Sequence, residues 1–151
     1  MAKTETMYLQ DFTLGQTFVS ASHEMTMADI KAFAAQFDPQ PFHLDEDAAR
    51  NTLFAGLAAS GWHTAAVTMR LLVGSGLPVA GGLVGAGAEL RWPRPTRPGD
   101  RLQVTSEVID IKTSPSRPER GLVTLKSETR NQDGALVQSM TSRLSVPIRP
   151  S

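Results

Sequence analysis

The chain contains no cysteine, which removes disulfides, thiolate nucleophiles and cysteine-based zinc sites together. It also has no apolar run long enough to span a bilayer. The opening stretch, MAKTETMYLQDF, lacks the apolar centre and small-residue cleavage site of a secretory signal, so a cytoplasmic location is expected. Charge of one sign is missing too. Lys+Arg and Asp+Glu number 15 each and cancel, so no bulk field recommends nucleic acid or a membrane surface as partner. Histidine is scarce, with 3 in 151 residues, so the place of each one is informative.

What remains is an ordinary globular composition. Hydrophobic residues make up 40% of 151, and 12 glycines raise the apolar share to that of a well-packed chain. No repeat, low-complexity tract or linker interrupts it. One domain over residues 1–151, with a sizeable core, is expected.

Thr26 can cap a helix with Asp29 in its first turn, and Ile30, Phe33, Ala34 and Phe37 follow at helical spacing. Pro39 ends that helix, because the residue before a proline avoids the α region. Asp45 can cap a second short helix over EDAAR. Trp62 to Val73, WHTAAVTMRLLV, is apolar around most of its circumference and predicts a helix buried on nearly all sides. Gly74-Ser75-Gly76 should close it, with a glycine in the left-handed conformation.

Beyond residue 80 the period changes from helix to strand. Val84, Ala86, Ala88 and Leu90 alternate with Gly85, Gly87, Glu89 and Arg91. Leu102, Val104 and Val108 share one side of the next strand, and Val108-Ile109 breaks the alternation as a bulge would. Pro115 and Pro118 mark a loop. GLVTLKSETR and ALVQSMTSRLSVPI then flank Asn131-Gln132-Asp133-Gly134, a hairpin signal. The fold class is therefore α+β: a buried helix with long antiparallel strands able to wrap it. The exposed edges of such a sheet could be covered by strand-to-strand pairing in a homodimer.

Asp38 and His43 stand five residues apart in FDPQPFHLDE, where Pro39 and Pro41 restrict the backbone between them. Carboxylate and imidazole suit the addition of water to an activated double bond, where one proton leaves water and another reaches carbon. An isolated D-x-x-x-x-H is more often a helix end beside a packed histidine. AASGW, Ala58 to Trp62, opens the buried helix, and free backbone N–H groups at a helix start can receive a thioester oxygen as it gains negative charge. Gly61 there either allows close approach or gives the helix packing room.

FAAQFDPQPFHLDEDAARNTLFAGLAASGWHTA resembles the hydratase motif of the MaoC-like, R-specific enoyl-CoA hydratases. RWPRPTRPGDRLQV and ETRNQDGALVQS are similar to that family's later turn and last hairpin, so the resemblance spans roughly residues 8 to 148. It implies a hot-dog fold, a long helix wrapped by an antiparallel sheet and usually dimeric. It places the catalytic pair on Asp38 and His43 and the oxyanion amide on Gly61, with Ser60, Gln40 and Trp62 as neighbouring substrate-site residues. The implied substrate is an acyl-CoA or acyl-carrier thioester, with no metal and no cofactor beyond the CoA it carries. Three positions depart from the family pattern: Phe37 stands for Gly, Gln40 for Asn, and Ser60 for a common His.

The remaining candidates read mostly as structural. His63, in the first turn of the buried helix, is expected to be a packing residue, and His23 to face solvent. Arg91, Arg94, Arg97 and Arg101 form either a solvated turn or a phosphate contact for the carrier. Met69, Leu72 and Met140 are expected in the core. Two further functions fit the same fold: an acyl-CoA thioesterase, and a domain that binds acyl thioesters without turnover.

Overall fold

The computed structural model describes residues 6–151. The first five residues of the opening stretch read above lie outside the described residues. Five strands form one antiparallel sheet in the order β1-β3-β4-β5-β2: β1 Thr17–Glu24, β2 Val84–Arg91, β3 Arg101–Thr113, β4 Arg120–Arg130 and β5 Leu136–Pro147. Among the described residues four α-helices precede β2: α1 Met27–Phe37, α2 Pro41–Leu44, α3 Glu46–Ala49 and α4 Gly61–Leu71, the last continuing into a π turn over Leu72–Gly76, and a 3-10 turn over Leu9–Asp11 precedes them all. This is the hot-dog arrangement, in the α+β class.

Period-two alternation builds the sheet. Leu102, Val104 and Val108 on β3, Val123 and Leu125 on β4, and Met140, Leu144 and Val146 on β5 are buried. They meet Val67, Leu71 and Leu72 of the central helix and Ile30 of α1 in one core. The expected bulge is present: pairing of β3 with β4 shifts between Val108 and Asp110, which leaves Ile109 out of register. Asn131 shapes the last hairpin by accepting the N–H groups of Asp133 and Ala135, both at 3.0 Å. Gly134 closes it at φ +77°.

Three elements differ from the sequence reading. β1 was not foreseen, because it carries almost no apolar alternation: Ser20 is its one buried residue. Its pairing with β3 breaks between Val19 and Ser22, and the Ser20 hydroxyl accepts the Val104 N–H (2.9 Å) at that break. His23 lies on this strand and is half-buried rather than solvent-facing. The glycine-closed helix end is corrected too. Neither Gly74 nor Gly76 is left-handed, and the Leu77 N–H reaches back to the Leu72 carbonyl (2.8 Å), widening the last turn instead.

The third difference concerns burial. Residues 63, 64, 67, 68 and 71 of α4 are buried, but Trp62, Met69 and Val73 are exposed along the opposite side, Trp62 at 60% and Val73 at 61%. Met69 is therefore not a core residue in the single chain, whereas Leu72 and Met140 are. One sheet face is enough to bury only half a helix. β2 is similarly bare, with one hydrogen-bonded neighbour and exposed residues along most of its length.

Candidate active site

Asp38 and His43 are brought together by a sharp change of backbone direction. The Thr26 hydroxyl starts α1 by accepting the Asp29 N–H (3.1 Å), and Asp38 ends it, leaving the helix at φ −153°, ψ 65°. Pro41 then opens α2, a single turn where sequence reading had only a stiff loop, and His43 lies inside it, buried. Asp45 ends that turn and caps α3 as expected, accepting the N–H groups of Asp47 (2.8 Å) and Ala48 (3.1 Å).

The His43 tautomer follows from one contact. Nδ1 lies 2.6 Å from the Ala58 carbonyl oxygen, and a carbonyl can only accept, so Nδ1 carries the hydrogen. In the neutral ring Nε2 is then a bare lone pair. That atom lies 3.3 Å from Oδ2 of Asp38. Two acceptors at this separation are held together only by a shared proton or a donor between them.

The Asp38 carboxylate is held from two further sides. The Gln40 amide donates to Oδ1 (2.5 Å), and the Ser60 hydroxyl donates to Oδ2 (2.7 Å). Partial burial alone would raise this carboxyl. The hydrogen bonds from Ser60 and Gln40, with His43 nearby, outweigh burial and hold it below its ordinary 3.8. It is therefore ionised at neutral pH. Ser60 is fully buried, and the same hydroxyl accepts the Trp62 N–H (3.2 Å), capping α4. One side chain thus joins the end of α1 to the start of the central helix.

A cleft of about 440 Å³ adjoins this pair. His43, Gly61, Phe54, Thr64, Trp92 and Thr96 are among its walls. Asp38 does not line it and meets it through His43. Among the described residues nothing accepts the Gly61 N–H, so the helix presents an unpaired donor beside the cleft. Gly61 also gives the start of the helix packing room. A Cβ there would lie 2.7 Å from the Trp92 indole, so glycine is what lets that ring close over the helix start.

Ser60, Gln40 and Trp62 are not among the walls of the cleft. The first two spend their polar groups on Asp38, and Trp62 turns outward, packing edge-on against Trp92 at 5.3 Å. Phe37 is likewise turned out, 67% exposed and packed against Phe33. His63 is a packing residue: it stacks on Phe33 at 4.7 Å and 6°, and its buried Nδ1 has no partner among the described residues. Burial, followed by opposed influences of Asp29 (raising) and His23 (lowering), leaves its pKa below 6.5. Of the four arginines, Arg94 lines the cleft, and Arg97 holds the carbonyls of Phe54 and Leu57. Arg101 reaches Ser22 at 3.3 Å, and Arg91 is exposed on β2.

The walls contributed by Phe54, Thr64, Trp92 and Thr96 were missed. None belongs to a local pattern that marks chemistry, and only Trp92, just after a strand and before three prolines in six residues, carries a usable signal.

Residues 11–131 match the MaoC-like domain family. The chain belongs to that family. A curated relative, the uncharacterized protein YdeM of Bacillus subtilis, is 37% identical over 129 residues, covering 83% of this chain and 89% of that one. An (R)-specific enoyl-CoA hydratase of Rhodospirillum rubrum is 29% identical over 143 residues, 94% and 93% of the two chains. The solved MaoC-like dehydratase from Rhodospirillum rubrum superposes with TM-score 0.94 at 59% identity, over 96% of this chain and 99% of that one. Within the MaoC-like fold the two polar departures named above, Gln40 and Ser60, both bond to Asp38, so they change what holds the carboxylate rather than removing its support.

Proposed function

We infer that this MaoC-like chain is a carbon–oxygen lyase that reversibly hydrates 2-enoyl thioesters to 3-hydroxyacyl thioesters. The observation that carries this reading is the 3.3 Å approach of Asp38 Oδ2 to His43 Nε2, with His43 and the free Gly61 N–H both on one cleft. The enoyl-CoA activity of a relative similar over nearly its whole length supports it.

In this reading the thioester oxygen accepts the Gly61 N–H, which stabilises it as it gains enolate character. A water donates one O–H toward Nε2 and the other toward Oδ2. Its hydroxyl adds to the β-carbon, and the released proton passes to Nε2, where the ionised Asp38 stabilises the imidazolium. Nε2 then gives that proton to the α-carbon, so one water supplies both new bonds. Dehydration runs the same path backwards. The substrate is carried as an acyl-CoA or acyl-carrier thioester, no metal or cofactor beyond that carrier takes part, and the location is cytoplasmic. The working unit is a homodimer in which a second copy covers the bare side of α4 and the open edge of β2.

Asp38→Asn keeps the shape and the neighbouring donors while removing the charge. We expect it to stay folded, unfolding at a somewhat lower temperature because an amide nitrogen cannot accept one of the two hydrogen bonds, and to lose about 10²–10⁴-fold in turnover of a 2-enoyl-CoA, read as loss of enoyl absorbance. Near-normal turnover in that variant overturns the assignment. Release of free thiol without hydration would instead identify a thioesterase, and saturable binding without either reaction a non-catalytic acyl-thioester domain.

A further inference from the structure

The buried lining of the cleft includes hydroxyls as well as hydrocarbon. Thr64 and Thr96 line it, and both are buried, at 2% and 3% exposure. The Thr64 hydroxyl donates to Thr96 Oγ1 at 3.0 Å. Among the described residues no acceptor takes the hydrogen of Thr96. The cleft therefore presents a buried O–H donor that the protein leaves unmatched.

Behind these two lies a continuous polar layer between α4 and the sheet. Gln138 accepts the Trp92 indole N–H (2.9 Å) and donates to Thr68 (3.1 Å). Thr68 in turn bonds Thr129 (2.7 Å) and the Thr64 carbonyl (2.9 Å). Gln138, Thr68 and Thr129 are completely buried. A channel running deeper between helix and sheet would have to break several of these bonds and leave their groups unpaired in the interior, which is strongly opposed. A plain alkyl chain cannot compensate for them.

Resting on the hydratase reading, we propose that the cleft selects short acyl groups that carry a neutral hydrogen-bond-accepting oxygen near their distal end, with Thr96 as the residue that recognises it. Length follows from the helix: Thr64 is one turn beyond Gly61, about 4.5 Å along the axis, the reach of a few chain atoms. Neutrality follows from the walls. Phe54, Ala59, Trp92 and Val137 are apolar, and Arg94, the one arginine or lysine lining the cleft among the described residues, is exposed. A buried carboxylate on a single hydroxyl would go uncompensated.

The test compares 5-methoxy-2-pentenoyl-CoA with 2-heptenoyl-CoA, which differ by an ether oxygen in place of one methylene. The wild-type chain is expected to favour the ether about tenfold in kcat/KM, and to turn over 2-octenoyl-CoA at least about a hundredfold less efficiently than 2-butenoyl-CoA. Thr96→Val, nearly the same shape without the hydroxyl, should lower the ether-to-methylene ratio, and adding Thr64→Val, which removes the donor left without its acceptor, should bring it to about one. Equal handling of 2-butenoyl- and 2-octenoyl-CoA, no ether preference in the wild type, or a ratio unchanged in Thr96→Val overturns the proposal. A preference for a carboxylate-ended acyl group over the ether overturns its neutral form. The wild-type comparison decides alone if the valine variant fails to fold. If no enoyl thioester is hydrated, the hydratase reading falls, and calorimetric binding of 5-methoxypentanoyl-CoA against heptanoyl-CoA tests the cleft independently. Tighter ether binding that weakens in Thr96→Val upholds it, and equal binding refutes it.

Discussion

Ser60 shows how much one small side chain can be asked to do. Its hydroxyl caps α4 and also holds Asp38, so its removal should be felt in folding and in titration. Ser60→Ala is expected to cost about 1 kcal/mol of stability, the usual value of a helix cap. It also takes away one of the bonds that depress the Asp38 carboxyl, whose folded pKa then rises. Activity needs the ionised form, so the acid limb of the kcat/KM profile should move to higher pH, and an unmoved limb contradicts this role. The sign for stability is parallel. A carboxyl depressed by folding stabilises the native state above its unfolded value near 3.8, and that contribution is lost as pH falls through the lower folded value. Residue-scale legibility was uneven. Asp38, His43 and Gly61 could be picked out because they stand in a stretch that resembles a known motif. The bond from Ser60 to Asp38 spans 22 positions and has no local pattern to announce it.

Elements were legible where periodicity and punctuation agreed. α1 has a cap, a stripe and a proline stop, and β3 to β5 have clean alternation with a bulge and a hairpin marked by residue type. β1 was invisible because an edge strand packed on one side through a serine needs no apolar alternation. The π turn was equally hidden, since glycines predict an end without specifying which carbonyl accepts the last N–H. The segment 50–57 over the cleft is the element most dependent on distant support. Ala55 has φ 53° without being glycine, Gly56 has φ 157°, and Leu53 at the rim is 99% exposed. Arg97 holds the segment by donating to the Phe54 and Leu57 carbonyls. Arg97→Met should cost about 1–2 kcal/mol through those two unpaired acceptors, raise KM more than it lowers kcat, and admit protease within 50–57. Unchanged thermal unfolding together with unchanged nicking would show that the guanidinium contacts carry no weight.

For the whole molecule, burial in the single chain is incomplete in one direction. Trp62, Met69 and Val73 on α4, Trp92 beside them and Val84 on β2 are all exposed. Apolar side chains and unpaired strand hydrogen-bonding groups on the same molecule are what an isologous second copy can cover. Sedimentation is expected to give about twice 16.3 kDa, and Met69→Lys with Val73→Lys to shift the mass toward the single chain. A wild-type mass of one chain rejects the pairing. The strand order has a further consequence for synthesis. β2 ends at Arg91, but its one hydrogen-bonded neighbour among the described residues, β5, begins at Leu136, so the ribosome releases a whole strand well before the partner that will hold it exists. During that interval both borders of β2 are naked, and a neighbouring nascent copy offers the same naked borders. Crowded polysomes should therefore be where this chain goes astray, and slowing initiation rather than elongation should be what rescues its yield.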